Sequence, residues 1–332
     1  MPILKWKWML LKTFIGMRSL NYLLTLVVLA LFVAGCSDDD NEAAAPEPPR
    51  PLGEVLTEDE VKIQEYLETH FYNYAEFENP PDGFDFKIRL QSIPEGNTDT
   101  VPLARQVQSK TITVTEDSDE GSSEVSHTLY YLQATEPLGQ KPTVGDSVFL
   151  KYKGTLLEGT EFDRSDSYLW QYGPSTIRGY AAALSEMTTG TNTVIENDGT
   201  FTIENVGVGL VIMPSGLAYF NQTRGTIPAY SPLIFTFELG TFIKNTDFDN
   251  DGVPSIMEDV NGDGNLNNDN TDEDFRVQGG QRFGIPNHQD SDDDGDGIPT
   301  REEVELDDNG NLILPLPDAD GDGTPDYLDS DS

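Results

Sequence analysis

The chain has 332 residues, with 59 Asp and Glu against 20 Lys and Arg, a formal net charge of −39. That length predicts two or more structural units, and that charge excludes a nucleic-acid backbone as the main partner, because phosphate is repelled. Hydrophobic residues at 36% and aromatics at 10% suffice for at least one core, while a mean hydropathy of −0.43 puts much of the chain outside it.

Residues 1–35 contain Lys5, Lys7, Lys12 and Arg18 and no acid, so their removal leaves 16 basic against 59 acidic residues and a net charge of −43. The apolar run Tyr22 to Ala34 is 13 residues long, short of the ~20 that span a bilayer but suited to the h-region of a secretory signal, with Met17-Arg18 as a second possible start. It ends in Val33-Ala34-Gly35-Cys36, which resembles the lipobox of bacterial lipoproteins. The resemblance implies cleavage before Cys36 and lipidation of its thiol, so that the membrane is met through lipid. Cys36 is the only cysteine, so no internal disulfide is available. The following Ser37-Asp38-Asp39-Asp40 resembles the acidic tag of surface-exposed lipoproteins of the Bacteroidetes. Two outer-membrane locations follow, the cell surface or the periplasmic face, and in either case residues 36–56 read as an acidic, Pro-rich tether.

Thr57-Glu58-Asp59-Glu60 has capping-box spacing and predicts a helix start. Ile63, Tyr66, Leu67, Phe71 and Tyr74 then share a helical face, closed by Pro80-Pro81. Phe84, Phe86, Ile88 and Leu90, and later Ile112 and Val114, alternate with polar residues as strands do. Residues 57–126 are thus expected to form an accessory α+β segment. His70, His127 and His288 are the only histidines and are widely separated, which argues against a histidine-based metal or nucleophile site.

From about His127 the pattern becomes short β-rich runs: Leu129 to Leu132, Ser147 to Tyr152, Gly209 to Met213 and Leu233 to Leu239. One short helix, Gly179 to Met187, falls among them, and the segment between Met187 and Met213, with Asn197-Asp198-Gly199-Thr200, reads as an inserted hairpin or flap. The expected class is α+β, an antiparallel sheet wrapped on a short helix.

The blocks Val144-Gly145-Asp146-Ser147-Val148, Tyr152 to Asp163, Ile177-Arg178-Gly179-Tyr180, Leu217-Ala218-Tyr219, and Ile227-Pro228 followed by Leu233 to Leu239 stand in the order seen in FKBP-type peptidyl-prolyl cis-trans isomerases. The resemblance covers residues 127–244. It implies rotation about X-Pro bonds in Pro-containing polypeptides, with site positions at Tyr152, Phe162, Asp163, Ile177, Tyr180, Tyr219, Ile227 and Phe235. By that likeness the Phe and Ile side chains hold the proline ring, Tyr180 forms the floor, and the Tyr219 hydroxyl and Ile177 amide bond the substrate backbone. The sequence departs from the family where Tyr180 replaces the common Trp and Phe220 replaces a Gly, and no arginine partner for Asp163 is evident. Trp170 or Tyr168 is a candidate for a further aromatic wall. Physical chemistry agrees with the likeness: twisting an amide costs ~18–20 kcal/mol of resonance. An apolar, water-excluding shelf favours the twisted form, so no nucleophile, general base or catalytic cofactor is needed.

Residues 246–332 hold 26 acids and three basic residues. Asp247-x-Asp249-x-Asp251-Gly252 with Glu258 at the twelfth position, and Asp292-x-Asp294-x-Asp296-Gly297 with Glu303, have calcium-loop spacing. Asp259-x-Asn261-x-Asp263-Gly264 and Asp318-x-Asp320-x-Asp322-Gly323, followed by Asp326 and Asp329, are related. The last resembles a thrombospondin type 3 repeat. Residues 245–332 are therefore expected to be a calcium-binding module in which structural Ca2+ and folding are coupled.

Taken together, the sequence reads as a signal peptide (1–35), a tether (36–56), an accessory segment (57–126), an isomerase domain (127–244) and an acidic calcium module (245–332). The expected role is help in folding exported or surface proteins. Two alternatives stand beside it: a proline-segment binding module or chaperone with little turnover, and a calcium-stiffened adhesion or spacer protein.

Overall fold

In a computed structural model, residues 48–118, 121–195, 201–272, 276–278 and 281–332 are described. The chain divides into Met1–Pro49 and Arg50–Ser332. The lipobox, Cys36 and most of the tether lie outside the described residues, as do Asn197-Asp198-Gly199-Thr200.

The elements from Arg50 onward run α1 (Leu52–Thr69), β1 (His70–Tyr72), α2 (Tyr74–Glu78), β2 (Leu90–Ser92), β3 (Gln108–Ser118), β4 (Gly121–Gln133), β5 (Ser147–Leu156), β6 (Glu161–Tyr172), α3 (Arg178–Leu184), β7 (Thr193–Ile195), β8 (Phe201–Ile203), β9 (Gly207–Met213), β10 (Leu233–Ile243), β11 (Arg276–Gln278), β12 (Gln281–Phe283) and α4 (Thr300–Glu303). The helix expected from Thr57 starts earlier, at Leu52 after Pro51. Thr57 therefore lies inside it, and its hydroxyl donates to the Gly53 carbonyl at 2.9 Å rather than capping. Pro51 explains the shift: its fixed φ suits a helix entrance. Phe71 and Tyr74 are not on this helix, because the chain turns extended at His70, and the expected strand around Phe84 to Leu90 is reduced to β2.

A six-stranded antiparallel sheet in the order β3-β4-β9-β10-β5-β6 forms the centre, which agrees with the expected α+β class. Residue 127 lies within β4, so the sheet passes without interruption from the accessory segment into the isomerase-like blocks. β9 reads Gly-Val-Gly-Leu-Val-Ile-Met and every residue is buried. A strand without polar residues fits a position covered on both faces, and both faces are covered. On one, Val211, Met213, Phe235 and Phe237 pack with Tyr180, Ala183 and Leu184 of α3. On the other, Leu210, Ile212 and Ile234 pack with Ile63, Tyr66 and Leu67 of α1. The expected insertion hairpin is present as β7 paired with β8. A third, smaller core of Val253, Val304 and Tyr327 lies in the acidic tail.

Candidate functional site

The sequence-derived aromatic positions converge at one end of the α3 face. Strand pairing sets Phe235 of β10 opposite Gly154 of β5 and Phe237 opposite Tyr152, and β6 places Asp163 opposite Gly154. The absence of a side chain at Gly154 makes room for the ring tips of Phe162 and Phe235, which a Cβ there would push aside. Phe162 meets Phe235 edge-on at 5.4 Å between centroids, and Tyr180 meets Phe235 at 5.0 Å and Tyr152 at 6.1 Å. Such edge-to-face packing is the favoured arrangement of aromatic rings. Tyr180, Ile227 and Phe235 are buried at 3–5% exposure, whereas Tyr152, Phe162, Ile177 and Tyr219 are half-buried against them. The cluster thus has a closed base and an open rim.

The polar atoms of the cluster are mostly engaged. The Tyr180 hydroxyl donates to Gln171 Oε1 at 2.6 Å, and burial holds its pKa well above the usual tyrosine value. The Tyr152 hydroxyl donates to Asp163 Oδ2 at 2.7 Å; burial first, then that carboxylate, raise its pKa. Asp163 also accepts the Arg164 amide at 2.8 Å. Ile177 is the N-cap residue of α3, and its carbonyl accepts the Tyr180 amide at 2.9 Å. Trp170 and Tyr168 do not join this cluster. They contact Phe149 at 4.9 and 5.2 Å. Trp170 pairs with Phe149 next to the Leu169–Leu150 pair, so strand alternation turns it away from the face that holds Leu150.

In the tail, the sixth-position glycines Gly252, Gly264, Gly297 and Gly323 all have positive φ, between 76° and 108°. Glycine alone adopts this conformation without steric cost. Loop amides turn onto the leading carboxylates: Asn250 and Gly252 donate to Asp247 at 2.8 and 3.0 Å, and Gly321 and Gly323 to Asp318 at 2.8 and 3.2 Å. Among the described residues, carboxylate oxygens lie within 4.8 Å of one another in four groups: Asp247, Asp249 and Asp251; Asp251, Glu258 and Asp293; Asp292, Asp294 and Asp296; and Asp318, Asp320 and Asp322. Asp259, Asp263, Glu303, Asp326 and Asp329 fall outside these groups; Asp326 instead accepts the Ala319 amide at 2.7 Å, and the Asn261 side chain donates to Asp269 Oδ1 at 2.8 Å. Burial, then neighbouring acids, push the Glu258 carboxyl up to about 10, Asp293 to about 9, and Asp249 and Glu303 to about 7. Buried carboxylates without cationic partners are costly, and a hard oxygen-ligated cation fits this donor set.

Against known families, residues 139–240 match the model for FKBP-type peptidyl-prolyl cis-trans isomerase. The chain carries an FKBP-type peptidyl-prolyl cis-trans isomerase domain. Residues 248–314 match the model described as BamM C-terminal. Among solved structures, a peptidyl-prolyl cis-trans isomerase from Pseudomonas syringae pv. tomato is 18% identical, covers 60% of this chain and 100% of its own, and has a TM-score of 0.32. FkpA from Escherichia coli is 26% identical, with 39% of this chain and 52% of that chain covered and a TM-score of 0.29. The N-terminal domain of FKBP42 from Arabidopsis thaliana is 17% identical, with 35% and 87% covered and a TM-score of 0.29. No curated protein matches the chain.

The isomerase domain has supports on both sides that the residue pattern did not reveal. Asp59 of α1, fully buried, accepts from the Ser215 amide at 2.8 Å and the Ser215 hydroxyl at 2.6 Å. It thereby fixes the turn that leads to Tyr219. A signal was present, because Asp59 interrupts the buried series Val55, Asp59, Ile63 at helical spacing. Phe220, where the family commonly has Gly, does adopt φ 47°, and its ring meets Tyr230 edge-on at 5.2 Å. On the other side, Arg178, the first residue of α3, contacts the Asp263 carbonyl at 3.0 Å and carboxylate at 3.3 Å. Tyr172 stacks on Phe248 at 4.2 Å, and its hydroxyl pairs with His288 Nδ1 at 2.9 Å. Burial lowers the His288 pKa to about 4, so the imidazole is neutral at physiological pH.

Proposed function

We propose that the isomerase domain assists folding of exported or surface polypeptides by turning their X-Pro bonds within the aromatic cluster. The observation that carries this reading is the convergence of Tyr152, Phe162, Tyr180 and Phe235 on one face, closed beneath and open at the rim. A proline ring seated between Phe162, Ile227 and Phe235, above Tyr180, would leave its amide in a setting with little water. There the twisted amide, which has lost resonance and polarity, is less disfavoured than in bulk solvent. In this reading the Tyr219 hydroxyl and the Ile177 amide hold the flanking backbone, and Asp163 fixes the Tyr152 ring. No covalent step is needed, and catalysis uses no cofactor.

The acidic tail serves as a module held by structural calcium, and the chain is tethered to the outer membrane through lipid on Cys36, facing the cell surface or the periplasm. Orphaned buried carboxylates support the calcium reading, and the small residues before the sole cysteine support the lipid.

The deciding experiment follows cis/trans exchange in a Pro-containing peptide by magnetisation transfer with the purified protein. Phe162→Ala, at a half-buried position, is expected to slow exchange by roughly tenfold or more, equivalent to ~1.4 kcal/mol in the barrier, with little loss of fold. Exchange at the same rate in Phe162→Ala and the parent would overturn the role given to the cluster.

A further inference from the structure

Loop spacing fills each cation position from its own loop. One place in the tail is built differently. Asp251 and Glu258, the fifth and twelfth residues of the first loop, have carboxylate oxygens within 4.8 Å of one from Asp293. Asp293 comes from the second of the two complete loops, Asp292 to Glu303, at a position to which the loop pattern gives no ligand. All three side chains are buried, at 1%, 0% and 1% exposure. Both oxygens of Glu258, both of Asp293 and Oδ2 of Asp251 have no hydrogen-bond partner among the described residues. The inward direction of Asp293 is set by its backbone, whose amide donates to Thr300 Oγ1 at 3.1 Å and whose carbonyl accepts from Thr271 Oγ1 at 2.6 Å.

Three buried carboxylates facing one another have two ordinary means of existing. They can share protons in carboxyl–carboxylate hydrogen bonds, or they can surround a cation. Five of their six oxygens accept from no amide, hydroxyl or cationic side chain among the described residues, so no hydrogen bond within the chain offsets their charge. Repulsion and desolvation would otherwise drive such groups apart or into water.

We propose that a divalent cation, calcium by its preference for carboxylate oxygen, is held between Asp251, Glu258 and Asp293 and joins the first acidic loop to the second. The inference rests on the calcium reading of the tail and adds to it a ligand from outside the loop. Its consequence is that the two loops do not fill independently. Asp251 belongs both to this group and to the one with Asp247 and Asp249, so an ion in either position orients an oxygen of the other. The remaining coordination positions of calcium, which takes six to eight oxygens, are left to water and backbone carbonyls.

The test measures calcium stoichiometry of the full chain by native mass spectrometry and affinity by calorimetry, comparing Asp293→Asn with Asp320→Asn in the last loop. Asp293→Asn is expected to lose one bound ion and to weaken binding in both the first and second loops, by roughly tenfold. Asp320→Asn should affect its own loop alone. Thermal unfolding supplies a second readout with opposite signs: Asp293→Asn melts above the parent in chelator, because a neutral amide needs neither a buried charge nor a bound proton, and below it in calcium. If the parent binds calcium and Asp293→Asn binds the same number with the same affinity, the inter-loop site is refuted and the calcium reading stands. If the parent binds none, both fall. Should Asp293→Asn fail to fold, judged by circular dichroism, Glu258→Gln takes its place with the same expectations.

Discussion

The sheet and the acidic tail are both folded around buried residues, but the residues are of opposite kinds. In β9 and β10 the interior is Leu210, Val211, Ile212, Met213, Leu233 and Phe237. In the tail it is a small apolar group around Val253, Val304 and Tyr327, set beside Asp251, Glu258, Asp293 and Asp294. Burying apolar surface stabilises by roughly 25 cal/mol per Å2 in almost any buffer. Burying a carboxylate costs several kcal/mol unless a counter-charge is supplied. One region thus carries its stability in its own side chains, and the other, under the calcium proposal, makes its stability conditional on an ion. The two are joined where Tyr172 stacks on Phe248, where Asn267 donates to the Pro174 carbonyl at 2.8 Å, and where Arg178 meets Asp263. Order in the tail therefore bears on the start of the helix that carries Tyr180.

The contrast is broken most directly by chelation. Removing calcium is expected to weaken amide protection across residues 247–329 by far more than in β9 and β10, as followed by hydrogen exchange. Equal protection with and without the ion would erase the distinction. A smaller effect, on the other side, is expected from Phe237→Ala. This side chain is 2% exposed at the centre of the sheet, and its truncation should lower stability by about 3–5 kcal/mol in urea unfolding. Calcium stoichiometry should not change; if it does, the regions are one cooperative unit.

The smallest effect sharpens the electrostatic half of the argument. Without calcium, folded-state pKa values of about 6 for Asp251, 7 for Asp249, 9 for Asp293 and 10 for Glu258 lie above those of an unfolded chain. The folded state then binds more protons between pH 4 and 10, so stability falls as pH rises through that window. In chelator the tail should melt progressively lower from pH 5 to pH 9. In calcium that slope should vanish, and a slope that persisted would show that the carboxylates are not the ligands.

Legibility in the sequence was uneven for physical reasons. The Gly154 to Phe162 block and the strand from Leu233 to Leu239 announced the isomerase domain because their spacing is imposed by strand pairing. The inserted hairpin and the sixth-position glycines were readable because turns restrict residue type. The helix start at Leu52 was not, since Thr57-Glu58-Asp59-Glu60 has a capping composition while lying inside a helix that Pro51 begins. Nor was the place of Trp170 and Tyr168, because bulges in the β5–β6 pairing, between Leu150 and Tyr152 and between Gly154 and Thr155, obscure which face a residue takes.

By itself the sequence determined that this protein has an isomerase domain, an acidic tail with loops spaced for a cation, and more negative charge than its own cations balance. Those properties are local: they depend on spacing, turn chemistry and charge count. Only the tertiary structure decided that α1 covers the second face of the sheet and that Asp59 anchors the turn before Tyr219. It also decided that Asp293 reaches Glu258 across two loops. Each of these joins residues far apart in the chain, and such contacts are settled by packing and desolvation in the folded molecule, which no local pattern records.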